Sequence, residues 1–65
     1  MITLSINFSD GSNHTIRDAK YVPNIGESVH NEKDVYYRYF VDKKDIYYND
    51  NISVNIIISA VKPSI

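Results

Sequence analysis

A chain of 65 residues has room for one domain. Seven Lys and Arg against eight Asp and Glu leave a net charge of −1, which speaks against long nucleic acid as a partner, because phosphate neutralisation needs clustered cations. There is no Cys, which excludes disulfides, a thiolate nucleophile and a Cys-ligated zinc, and no apolar run nears the ~18 residues of a membrane span or reads as a signal peptide.

Ten Ile and six Tyr against two Ala favour strands over helices. Residues 1–8 show the cleanest signal. Ile2, Leu4, Ile6 and Phe8 alternate with Thr3, Ser5 and Asn7, the period of a half-buried strand. Residues 9–13 form a turn cluster, and 14–22 read as the returning strand. A two-residue Asp10-Gly11 turn would set Ile16 against Ser5. A three-residue Ser9-Asp10-Gly11 loop sets Ile16 against Leu4 and puts Gly11 at the left-handed position, so the longer loop is expected. Asp18 would then face Ile2, and the pairing should bulge or end there.

Residues 21–29 read as an excursion, with Pro23 unable to donate to a ladder and Gly26 free to turn. Val22, Ile25 and Val29 are expected to cap the core, and 30–34 to form a polar loop. Residues 35–41 alternate again, with Val35, Tyr37, Tyr39 and Val41 on one face and Tyr36, Arg38 and Phe40 on the other. A second strand piece at 46–48 pairs with the last strand, 52–61, across an Asn49-Asp50-Asn51 loop with Asn51 left-handed. This pairs Tyr48 with Ile52 and Ile46 with Val54. One extra residue within 42–45 then restores Val41 opposite Ile58 and Tyr39 opposite Ala60, so a β-bulge is predicted there. The expected core is Ile2, Leu4, Ile6, Phe8, Ile16, Val22, Ile25, Val29, Val35, Tyr37, Tyr39, Val41, Ile46, Ile52, Val54, Ile56 and Ile58. The fold class is all-β: a small barrel of about five antiparallel strands formed by residues 1–65.

Asp10-Gly11, the run Tyr21-Val22-Pro23-x-Ile25-Gly26-Glu27-x-Val29 and the aromatic-rich strands resemble short SH3-like barrel proteins of bacteria and their phages. The resemblance covers most of the chain, and the Val-Pro-x-Ile-Gly-Glu-x-Val stretch is its specific part. It implies an SH3-like barrel, transfers no catalytic residue, and raises an anti-defence or host-takeover role in the bacterial cytoplasm. The chain has no Trp, on which the proline-rich-peptide groove of SH3 domains depends, so that ligand class is not expected.

Candidate chemistry is sparse. His14 and His30 are the only imidazoles; Ser9 and Ser12 near His14 come without a nucleophile elbow or oxyanion hole. The carboxylates and histidines lack metal-ligand spacing, so neither metal nor other cofactor is expected. Tyr36, Arg38, Phe40 and Tyr47 on an outward face could stack on a base and pair with phosphate, the basis of a nucleotide-sequestering alternative. The bland reading of that face is an Arg lying beside sheet aromatics. Ile57 and Val61, opposite the core face, together with Tyr36 and Phe40, form an apolar and aromatic set that a partner would cover, unless Ile57 packs under the 23–34 loop. The expectation is a non-catalytic binding protein, a phage or mobile-element inhibitor that occupies a host protein or pairs with itself as a homo-oligomer. A structural or adaptor subunit is a further alternative.

Overall fold

The computed structural model describes residues 1–50 and 52–63. It is all-β, with β1 (Ile2–Phe8), β2 (Asn13–Arg17), β3 (Ser28–His30), β4 (Arg38–Tyr48) and β5 (Val54–Val61) in one curled sheet of order β2-β1-β5-β4-β3. The first hairpin has the expected loop and register. Leu4 faces Ile16, the Gly11 and Phe8 backbones close the turn, and Gly11 sits at φ 94°. β2 ends at Arg17, five residues sooner than the expected strand, because Asp18 turns left-handed (φ 53°) and the Ala19 N–H bonds the Ile2 carbonyl. A short polar side chain tolerates that conformation better than a branched one.

β1 and β5 run parallel, with Ile6 beside Ile58, so the sheet is mixed and not wholly antiparallel as expected. Parity arguments on hairpins do not reach this pair, because no tight turn joins its strands. The predicted bulge is present: between Val41 and Lys43 the register on β5 advances by one residue only, leaving Asp42 unpaired. Its partners lie two positions further along β5 than predicted, with Tyr48 opposite Val54, Ile46 opposite Ile56 and Val41 opposite Ala60. The cause is a longer loop. Asp50 Oδ1 accepts from the N–H groups of Ile52 and Ser53 (both 2.8 Å), and the Asn49 N–H bonds the Ser53 carbonyl, so the loop runs to residue 53. A shift of two keeps every side chain on its predicted face. The expected left-handed Asn51 lies outside the described residues.

Residues 18–27 cross the concave face where a small barrel would close. Their Ala19 and Pro23 are buried, and Val22 packs on the core of Leu4, Ile6, Phe8, Tyr39, Val41, Ile56, Ile58 and Ala60. At the far end of this crossing the Gly26 N–H bonds the Val41 carbonyl and the Val41 N–H bonds the Glu27 carbonyl, which starts β3. Val29 therefore belongs to a strand where a loop was expected. Residues 35–37 form a turn, not strand, and Val35 and Tyr37 are exposed. Ile16, Ile25, Ile46 and Ile52, also placed in the expected core, are exposed as well: they sit at an edge, on the crossing segment or near the hairpin tip, where no layer covers them. Ala19 and Ala60 are buried instead. The result is a half-barrel, open between β2 and β3.

Candidate functional site

The opening is built from main-chain geometry. The Phe8 N–H bonds the Ser12 carbonyl, so by alternation His14 and Ile16 turn their backbone groups toward β1. Asn13, Thr15 and Arg17 turn theirs outward, to no strand. On the other side, the Val41 N–H bonds Glu27, so Val29 faces Tyr39 and the backbones of Ser28 and His30 point outward. Two strand edges thus border one seam. All five residues of β2 are exposed, and its sequence Asn-His-Thr-Ile-Arg carries no Pro, Lys or bulge of the kind that guards edges.

The seam holds a groove of about 400 Å³ whose floor is Ile6, Phe8, Pro23 and Val29 and whose walls include His14 and His30. Its end is closed by Asn31, which is 1% exposed. The Asn31 amide donates to Asp10 Oδ2 (3.0 Å) and Ser12 Oγ (3.3 Å), while its carbonyl accepts from the Lys33 N–H (2.9 Å). The turn after β3 is thereby tied to the turn before β2, across the seam. The Ser12 hydroxyl and N–H, with Asn31, hold the Asp10 carboxyl below its ordinary range. Close by, the Tyr39 hydroxyl donates to Asp34 Oδ2 (2.8 Å), which also pairs with Lys62 (2.9 Å). Lys62 and then Tyr39 lower the Asp34 pKa, whereas burial and then Asp34 raise that of Tyr39. At the other end the Tyr21 hydroxyl donates to Glu27, which lowers the Glu27 pKa and stiffens the crossing segment.

The structure distributes the residues singled out from the sequence. Arg38, Phe40, Tyr47, Ile57 and Val61 lie on the convex face, and Phe40 and Val61 are direct partners. Ile57, 36% exposed, sits between Ser5 and Asp45, one apolar side chain in a polar row. It is on the face away from the crossing segment and does not pack beneath it. Tyr36 is in the turn before β4, off the strand face, with 92% of its surface exposed. It joins Tyr37, Arg38, Val35 and β3 around a second hollow, also about 400 Å³. The groove itself was missed from the sequence. Its signal was the unguarded polar strand after Gly11, which only becomes an edge once β5 has taken the other side of β1.

Among the described residues no group of three or more His, Asp or Glu is placed to hold a metal ion, and no helix is long and apolar enough to cross a membrane. Compared with known protein families, with curated proteins and with solved structures, the chain has no match.

Proposed function

We propose that this chain is a non-catalytic binding protein that occupies a protein partner by accepting an extended segment of it along the open seam. The observation that carries this is the pair of facing strand edges over an apolar floor. Outward N–H and C=O groups on both walls favour a strand as occupant, since main-chain ladders give affinity and alternate side chains enter the groove. The resemblance of the Val22–Val29 stretch to SH3-like proteins of bacteria and phages suggests the setting we propose for it: an inhibitor or anti-defence protein acting on a host protein in the bacterial cytoplasm.

The test uses Thr15→Pro, which removes an outward N–H that the β1–β2 ladder does not use. The parent chain, immobilised, is expected to retain a protein from bacterial lysate that folded Thr15→Pro loses and Ile57→Lys keeps. Retention by a folded Thr15→Pro variant, checked by its melting curve, would sink the seam as the binding site.

A further inference from the structure

The hollow beside β3 has a different character from the seam. His30 and Arg38 are cross-strand partners in the wide, non-hydrogen-bonded position, where neighbouring side chains stand closest. Arg38 makes no ion pair or side-chain hydrogen bond with any described residue, and no carboxylate borders the hollow. Asp34, next in sequence to its Val35 wall, is already held by Lys62 and Tyr39. Two tyrosines stand at the rim with different duties. Lys62 Nζ lies 4.5 Å from the Tyr37 ring centroid, which fixes Tyr37 and covers one of its faces. Tyr36 has no such neighbour and is almost wholly in solvent.

We propose that this hollow binds a mononucleotide, with the phosphate on Arg38 and His30 and the base stacked on Tyr36. Arg offers a planar fork to phosphate oxygens, and an exposed phenol ring offers a sequence-tolerant face to any base. A volume of about 400 Å³ falls within the ~300–1,000 Å³ of ordinary small-ligand sites. The near-neutral chain that disfavours a long polymer does not disfavour one phosphate. The two hollows share His30 on β3, but Tyr36 and Arg38 do not border the groove, so substitutions at these two test this site apart from the seam.

The experiment is a titration of the intact chain, followed by NMR amide shifts, with three probes: AMP, adenosine and inorganic phosphate. AMP is expected to move Tyr36, Arg38 and His30 saturably below about 10 mM, with adenosine and phosphate each weaker than AMP. Arg38→Gln should weaken AMP and phosphate about tenfold but leave adenosine unchanged, and Tyr36→Ala should weaken AMP and adenosine about tenfold. Both substitutions are at exposed positions, and unchanged spectra elsewhere verify the fold. The proposal is overturned if AMP moves none of the three residues, if Arg38→Gln binds AMP as the parent does, or if phosphate alone matches AMP.

Discussion

Tyr39 has no exposed surface, and its hydroxyl is satisfied by one carboxylate, Asp34, which in turn holds Lys62. The trio carries a pH dependence with two ends. Asp34 is held below its ordinary value of 3.8, so the stability it contributes is complete above that pH and is lost as pH falls through the folded value. Asp10 and Glu27, both also lowered, lose theirs in the same direction. Tyr39 is raised above 10.0 and Lys62 above 10.5, so their contributions are complete below those values and vanish as pH rises beyond them. Urea midpoints measured across pH should therefore be flat near neutrality and fall at both ends. In Asp34→Asn the acid limb should become shallower, and an unaltered slope would show that Asp34 does not carry it. Asn31 belongs to this same end of the molecule and was invisible in the sequence. An Asn in a polar loop reads as solvated, and only the approach of the two turns, 19 and 21 residues apart in the chain, buries it.

Among the elements, β4 decides the shape. It is 11 residues long, and its bulge at Asp42 lets Tyr39 and Val41 on one side and Lys44 and Ile46 on the other share the concave face. Deleting Asp42 would set Val41 and Lys44 two positions apart, so all four side chains keep the concave face in plain alternation with the same β5 partners. The strand then loses its bend but exposes no fully buried side chain, each of which would cost roughly 1.5–3 kcal/mol against a total stability on the order of 3–10 kcal/mol for a chain of this size. The deletion variant should therefore keep a cooperative melt by circular dichroism, and Asp42→Ala, at an exposed position, should stay within about 0.5 kcal/mol of the parent. Loss of the cooperative melt on deletion would contradict a bulge at Asp42, because it would mean that removing this residue changes faces. Both this bulge and the Ser9-Asp10-Gly11 loop were legible in the sequence, because a period of two converts any single-residue change into a face change. Register along β5 was less legible: a two-residue slip preserves faces, so the pattern cannot detect it. β3 was not legible at all. Three residues are too few for a period, and Val29 is recruited by Tyr39 on a strand that follows it. The β1–β5 pair was hidden for a related reason, since nothing local joins strands separated by the rest of the chain.

At the scale of the whole molecule, a sheet that curls without closing leaves two classes of amide. Those of β1, β5 and the centre of β4 are bonded on both sides and lie over the core. The outward amides of Asn13, Thr15, Arg17, Ser28 and His30 are bonded to no strand. The half-barrel escapes the usual hazard of free edges only in part. The crossing segment 18–27 covers the concave core, and Asn31 pins one end of the seam, but neither supplies a ladder to β2. In the free protein, hydrogen exchange should be fast at these five amides and slowest at Ile6 and Ile58, which sit side by side at the centre of the sheet. A strand bound in the seam would protect Asn13, Thr15 and Arg17 at alternate positions while leaving the convex face around Ile57 unaltered. The alternation separates a ladder from simple covering, because a partner lying over the groove by side-chain contact alone would slow β2 without a period of two. Slow exchange at these amides in dilute protein, coupled with a doubled mass by light scattering, would instead mean that a second copy of the chain already fills the edge.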